Sequence, residues 1–165
     1  MFIAHGFSFV LPEFELGALY VDKFGFLCAC RQIDFTGRGE KMKVLVVEDD
    51  RSIRETLGMV LESYQYAVEL VDGGETALEY LEKSWPDVML LDLTLVGMSG
   101  EELYLKIQQK FKSVPPTVVL SAVQQGAARV RNMPGVRFLA KPYSLDQLAS
   151  VLQETAEHRN SSAAS

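Results

Sequence analysis

The chain has 165 residues, 48% of them hydrophobic and 23% charged, which suits one well-packed domain and is too short for two of ordinary size. The formal net charge of -6 and the lack of clustered lysines and arginines argue against a nucleic-acid-binding surface. Uninterrupted apolar stretches fall short of about 18 residues, so no membrane span is predicted.

The first 41 residues differ in composition from everything that follows. They hold seven of the nine phenylalanines and both cysteines, and their apolar residues follow no sustained period. Cys28 and Cys30 fall well short of the four ligands of a structural zinc site, so we interpret them as free thiols in a reducing, cytoplasmic compartment. We predict an extension without its own fold over 1–41, arising from an upstream start or an added segment, a domain over 42–157 and a frayed tail over 158–165.

From Met42 onward, strand-like and helix-like segments alternate. Residues 43–47 form a continuous apolar run, which is typical of a parallel strand buried on both faces. A helix should follow, because Ser52 and Glu55 fit a capping box and apolar residues recur at helical spacing. Its inner face is predicted to comprise Ile53, Leu57, Val60 and Leu61. A second strand at 67–71, a second helix and a third strand at 88–91 complete the first half.

The second half continues the alternation. Ser99 and Glu102 form a second capping box at the start of a third helix. A strand at 117–120 follows, and a short fourth helix must fit between residues 124 and 132 before the turn that begins at Met133. A strand at 136–140 then leads to a fifth helix, capped by Ser144 with Gln147. Five strands that alternate with five helices indicate an α/β fold with three layers and a parallel sheet.

Four of the predicted strands end in residues suited to metal or phosphate chemistry. Parallel strands bring their carboxyl ends to one edge of the sheet, where sites of open α/β folds lie. The residues at these ends are Glu48 and Asp49, then Asp92, Ser121 and Lys141. Three carboxylates held together repel one another unless a cation neutralises them, and oxygen ligands suit Mg²⁺. Together these strand ends predict a cation and phosphoryl pocket. Each signal alone also fits a surface residue or a helix start, which is the role that we expect for Asp50.

The four segments together resemble the receiver domain of two-component response regulators. They are Val46-Val47-Glu48-Asp49-Asp50, Leu90-Leu91-Asp92, Ser121-Ala122 and Lys141-Pro142, and the resemblance runs from Met42 to about Glu157. It implies a flavodoxin-like three-layer sandwich, doubly wound with strand order 2-1-3-4-5 and a site between strands 1 and 3. It also implies a cis peptide bond between Lys141 and Pro142.

The resemblance implies a role for each site residue. Asp92 would be the phosphoacceptor, taking a phosphoryl group from a sensor histidine kinase or a histidine phosphotransfer protein. Asp49 and Asp92 would bind Mg²⁺ directly, Glu48 mostly through water and Thr94 through its backbone carbonyl. Lys141 and the Ser121 hydroxyl would contact the phosphoryl group.

The resemblance also implies a switch and an output surface. Ser121 would move toward the phosphate, and Phe138 would turn into the vacated space, although an aromatic residue in a strand is equally well explained as core. A downstream protein would bind the fourth helix, fifth strand and fifth helix, and homodimerisation is left open. Only 19 residues separate Ser121 from Lys141, about two fewer than the family leads us to expect. Val96 stands where the family commonly has proline.

Other functions are weaker interpretations of the same residues. The favoured interpretation of the chain is a signalling domain that promotes its own phosphorylation and turns over no external metabolite. A haloacid dehalogenase-type phosphatase or phosphotransferase would require a second aspartate at the position of Thr94, and a Walker-type hydrolase would require a GxxxxGK[ST] loop that the chain lacks. A flavin-binding domain and a degenerate receiver that acts without phosphorylation are further alternatives.

Overall fold

The computed structural model describes residues 41–122, 129–130 and 133–162. The predicted extension over 1–41 lies outside these residues except for its last one. The described strands and helices are, in chain order, β1 (Lys43–Val47), α1 (Arg51–Ser63), β2 (Ala67–Val71), α2 (Gly74–Lys83), β3 (Val88–Asp92), α3 (Gly100–Phe111), β4 (Thr117–Ala122), β5 (Val136–Lys141) and α4 (Leu145–Ser162).

The five strands form one parallel sheet in the order β2-β1-β3-β4-β5, which confirms the predicted doubly wound fold. After β1 the chain adds β2 on one side and then β3, β4 and β5 on the other. The strand order therefore reverses between β1 and β3, and a crevice opens at the carboxyl ends of these two strands. The central strand β3 is buried at all five positions, as its unbroken apolar sequence predicts.

Two hydrophobic clusters cover the two faces of the sheet. Alternate strand residues point to opposite faces: Leu45 and Leu91 enter one cluster with side chains of α2 and α3. Val46 and Leu90 enter the other with side chains of α1 and α4. The sheet is thus the middle layer of a sandwich that positions all four described helices, in agreement with the predicted three layers.

The start of α1 confirms the helix-start role of Asp50 but not the predicted capping box. Asp50, and not Ser52, is the N-cap: its carboxylate accepts a hydrogen bond from the backbone N–H of Ile53 at 3.0 Å. Asp50 stands ahead of the serine in the chain, and its carboxylate is also favoured by the helix dipole, so Ser52 and Glu55 lie inside the helix. Ile53 follows the cap closely and is 41% exposed, so its predicted place on the inner face is wrong.

The other two predicted helix starts are confirmed. The Ser99 hydroxyl accepts a hydrogen bond from the Glu102 backbone N–H at 3.2 Å. At α4 the capping is reciprocal, because the Ser144 hydroxyl accepts from the Gln147 N–H at 3.2 Å and the Gln147 side-chain oxygen accepts from the Ser144 N–H at 2.8 Å. These contacts fix where α3 and α4 begin on either side of the site.

The short fourth helix predicted between residues 124 and 132 falls mostly outside the described residues, so α4 corresponds to the fifth predicted helix. This helix continues to Ser162, and the predicted domain end at 157 and the fraying of the tail stay predictions. The peptide bond between Lys141 and Pro142 is cis, as the resemblance implies. Within the described ranges, no helix is both long and apolar enough to span a membrane.

Candidate functional site

Three carboxylates meet at the crevice between β1 and β3. Glu48 and Asp49 directly follow β1, Asp92 is the last residue of β3, and Val47 pairs in register with Leu91. The register places Glu48 beside Asp92, and one carboxylate oxygen from each of the three acids lies within 4.8 Å of the other two. Glu48 and Asp92 are only 2% and 7% exposed. The structure thus brings together the three acids that the strand ends predict to be neighbours.

Lys141 supplies a positive charge to this cluster. It is the last residue of β5, and its side chain reaches past the end of β4. Its Nζ lies 3.3 Å from the Glu48 Oε2 and 3.3 Å from the Asp92 Oδ2, so the two buried carboxylates share one ammonium group. One ammonium among three carboxylates leaves the cluster with an excess of negative charge.

The titration behaviour of Glu48 and Lys141 reflects this environment. Burial raises the pKa of Glu48 above its ordinary value, the negative charge of Asp92 raises it further, and the Lys141 ammonium partly opposes both effects. Burial alone would lower the pKa of Lys141, but the neighbouring Asp92 and Glu48 carboxylates outweigh burial and raise it. Both shifts mean that this end of the sheet favours additional positive charge.

The donor set fits a hard divalent cation. Glu48, Asp49 and Asp92 offer only carboxylate oxygens, which suit Mg²⁺, an ion that keeps several waters and binds few protein carboxylates. Thr94 is an exposed residue of the loop after β3, and its backbone N–H donates to the Asp92 Oδ1 at 3.4 Å. The predicted role of its carbonyl as a metal ligand stays a prediction.

The loop after β3 is fastened to the acidic cluster through its backbone. The N–H of Val96 donates to the Asp49 Oδ2 at 3.0 Å, while the Val96 side chain is 82% exposed. At the start of α3, a Cβ on Gly100 would lie 2.6 Å from the Asp92 carbonyl oxygen and 2.9 Å from the Leu93 Cα. Only glycine lets this helix begin so close to the backbone of Asp92. Neither contact was predicted from the sequence.

Arg54 is a further residue that the sequence analysis missed. From the first turns of α1, its guanidinium donates to the carbonyl oxygens of Glu48 and Asp49. An arginine near a helix start is too common a feature to indicate such a contact.

Ser121 and Phe138 lie on neighbouring strands, on one face of the sheet. Ser121 is buried in β4 one residue beyond Leu120, which pairs with Asp92. Phe138 on β5 is partly buried against the cluster that includes α2 and α3. Since Val119 pairs with Phe138 and Ser121 pairs with the residue two positions after Phe138, the side chains of Ser121 and Phe138 share that face. Their roles as switch residues stay predictions.

Comparison with known proteins agrees with this geometry. The profile of the response regulator receiver domain matches residues 44–153. The response regulator MprA of Mycobacterium leprae is 32% identical over 109 residues, which is 65% of this chain and 47% of that protein, and MprA of Mycobacterium avium matches to the same extent. The chain therefore spans about half the length of these curated relatives.

Solved structures are similar over the same region. The chemotaxis protein CheY4 of Vibrio cholerae has a TM-score of 0.64 and 25% identity, covering 70% of this chain and 99% of that chain. The N-terminal domain of a response regulator/sensory box/GGDEF three-domain protein of Carboxydothermus hydrogenoformans has a TM-score of 0.66 and 28% identity, covering 73% and 98%. The matched residues 44–153 include Glu48, Asp49 and Asp92. The chain therefore belongs to the receiver-domain family of two-component response regulators.

Proposed function

We propose that the chain is a phosphoacceptor that receives a phosphoryl group on Asp92 in a two-component or phosphorelay pathway. The observation that carries this proposal is the position of the Asp92 carboxylate, which is buried at the end of β3 between two further carboxylates and the Lys141 ammonium. Such an arrangement combines a nucleophile, a place for a divalent cation and a fixed positive charge.

The proposed chemistry is a single transfer. An oxygen of Asp92 attacks the phosphorus of a phosphohistidine on a sensor histidine kinase or a phosphotransfer protein. The P–O bond forms as the P–N bond breaks. The imidazole leaves with the bonding electron pair and is protonated. Asp49 and Asp92 would hold Mg²⁺ directly and Glu48 mostly through water, and the bound ion would neutralise part of the phosphoryl charge. The distance of 3.3 Å between the Lys141 Nζ and the Asp92 Oδ2 supports a role for this ammonium in binding an oxygen of the incoming group.

The proposed switch follows from the neighbouring strands. Ser121 is one residue beyond the register partner of Asp92, so its hydroxyl is suited to bond a phosphoryl oxygen. A shift of Ser121 would leave space on the face that it shares with Phe138, and phosphorylation would select the packing in which Phe138 fills it. We propose that a downstream protein reads this change on the segment after β4, on β5 and on α4.

The first experiment measures phosphate incorporation. The intact protein and the Asp92→Asn variant are incubated with acetyl phosphate and Mg²⁺, and the mass of each is determined. We expect the intact chain to gain one phosphoryl group and the variant to gain none. The matched control is Asp72→Asn, an exposed aspartate at the turn before α2, which should be phosphorylated like the intact chain.

Two outcomes would contradict the proposal. If the intact chain gains no phosphate although it binds Mg²⁺, the domain is a degenerate receiver that acts without phosphorylation. If Asp92→Asn gains as much phosphate as the intact chain, another residue is the acceptor.

A further inference from the structure

Arg54 joins the first helix to the backbone of the acidic loop, which is the segment 48–50 between β1 and α1. It lies in α1 and is partly buried, and its Nη1 donates to the Glu48 carbonyl oxygen at 2.7 Å and to the Asp49 carbonyl oxygen at 3.1 Å. One guanidinium nitrogen thus holds two consecutive carbonyl groups. Hydrogen bonds with a charged donor are roughly twice as strong as neutral ones.

Two consecutive carbonyl groups that share a donor imply a sharply turned backbone. Along a strand, successive carbonyl groups point in opposite directions, whereas the chain bends at Asp49 directly after β1. The same bend directs the Glu48 side chain to Lys141 and the Asp49 side chain to the loop after β3, where Asp49 accepts from the Val96 N–H. The conformation that Arg54 holds is therefore the one in which the two carboxylates converge on Asp92.

A second link fastens the same loop to α1. Asp50 caps the helix through its carboxylate, and its own N–H donates to the Glu48 Oε1 at 3.3 Å. This cap fixes the end of the loop that adjoins the helix, but it does not hold the carbonyl groups of Glu48 and Asp49. Arg54 makes the contacts that hold these two groups.

We propose that Arg54 is a positioning residue for the metal-holding acidic pair Glu48 and Asp49. The inference rests on the proposed function for the identity of the ion, and it concerns the backbone that carries the ligands. Residues that orient metal ligands without touching the ion typically change metal affinity by 10- to 100-fold when removed. Loss of the guanidinium should accordingly weaken Mg²⁺ binding by about 10-fold or more.

Arg51 provides a matched control. It lies at the start of the same helix and carries the same charge, but its side chain is 81% exposed and pairs with Glu55 on the helix surface at 2.7 Å. Arg51→Met and Arg54→Met each remove one positive charge near the site, while only the second removes the hydrogen bonds to the acidic loop. Arg54→Lys keeps the charge and can restore only part of the donor geometry.

The experiment uses two readouts on the full chain without phosphorylation. Titration calorimetry measures the Mg²⁺ dissociation constant, and amide NMR spectra of the metal-free protein report on the backbone at Asp49, Asp50 and Val96. We expect Arg54→Met to weaken Mg²⁺ binding by about 10-fold or more and to shift or broaden these three amide signals. Arg54→Lys should be intermediate, and Arg51→Met should change the affinity by less than about twofold.

Different outcomes separate this inference from the proposed function. Equal effects of the two methionine variants would overturn it, because long-range charge would then explain the affinity. Unchanged amide signals in a folded Arg54→Met protein would also overturn it. Should Arg54→Met fail to fold, Arg54→Lys decides by the same two measurements. If the intact chain binds no Mg²⁺ but the three amide signals move only on loss of the guanidinium, Arg54 still positions the loop and the proposed function fails.

Discussion

Replacing Asp92 by asparagine should make the metal-free protein more stable, although Asp92 is the proposed acceptor. Asp92 is 7% exposed, lies within 4.8 Å of two other carboxylates through its nearest ligand oxygens, and has one ammonium group at 3.3 Å. Asparagine has nearly the same shape and removes the negative charge. The sign of the effect depends on whether repulsion by the acids exceeds attraction by Lys141.

Coulomb's law gives the size of the effect. At an effective dielectric constant of about 20, two unit charges about 4.8 Å apart repel by about 3.5 kcal/mol, and opposite charges about 3.3 Å apart attract by about 5 kcal/mol. Asp92 faces two carboxylates and one ammonium, so repulsion exceeds attraction by about 2 kcal/mol, and burial of the charge adds a desolvation cost. Since asparagine also loses the charged hydrogen bond with Lys141, we expect Asp92→Asn to raise the free energy of unfolding by about 1–2 kcal/mol.

Urea unfolding in EDTA, followed by circular dichroism, measures this difference. Glu69→Gln serves as the control, because Glu69 is exposed on the edge strand β2 and its replacement changes the net charge equally. Added Mg²⁺ should stabilise the intact chain more than Asp92→Asn and so shrink the gap. If Asp92→Asn in EDTA is less stable than the intact chain by about 1 kcal/mol or more, attraction by Lys141 dominates and the reasoning is refuted.

Three further changes test the same site. The pKa of Glu48 is raised from 4.5, so its contribution to stability is complete below pH 4.5 and is lost as the pH rises through the folded-state pKa. Over that range in EDTA, Glu48→Gln should therefore gain stability relative to the intact chain. A difference in urea unfolding that does not change with pH would contradict this expectation. Gly100→Ala should lower the free energy of unfolding by about 2 kcal/mol, because its Cβ would meet the Asp92 carbonyl oxygen at 2.6 Å. Gly73→Ala, whose Cβ has no neighbour within 4 Å, should lower the free energy of unfolding much less when both variants are compared by urea unfolding. Lys141→Met should tighten Mg²⁺ binding severalfold by calorimetry while destabilising the metal-free protein by about 1–3 kcal/mol; weaker Mg²⁺ binding would count against the charge imbalance.

The sheet and the ends of its strands could be predicted because each has a periodic signal. Buried parallel strands appear as unbroken apolar runs, and the polar residue that ends each run marks the edge where sites form. Asp49, Asp92 and Lys141 occur in this order along the chain, so they can be assigned to the ends of the first, third and fifth strands. The observed register of β1 with β3 then places Glu48 beside Asp92.

Contacts made to the backbone could not be predicted in this way. Arg54 donates to two carbonyl oxygens, and the Val96 N–H donates to Asp49. Every residue has a carbonyl group and nearly every residue has an N–H, so contacts to the backbone leave no recurrent pattern of residue types in the sequence. Gly100 is required by a close approach between two segments that only the folded chain brings together. The capping box at the start of α1 was wrong for a related reason: Asp50 and Ser52 are both good caps, and the spacing of Ser52 and Glu55 matches a capping box although Asp50 caps the helix.

Lys141 connects the proposed chemistry to the proposed output. The lysine ends β5 three residues after Phe138, and it contacts Asp92 across β4, the strand that carries Ser121. A phosphoryl group on Asp92 would change the charge that Lys141 faces and offer Ser121 a new acceptor at the same time. Both strands are therefore expected to respond to one event, and because their side chains interdigitate in a close-packed core, the response should be a change between two packings and not a gradual shift. Phosphorylation-dependent changes in amide signals should then appear together along β4 and β5, whereas changes confined to the loop after β3 would show that the site is not coupled to these strands.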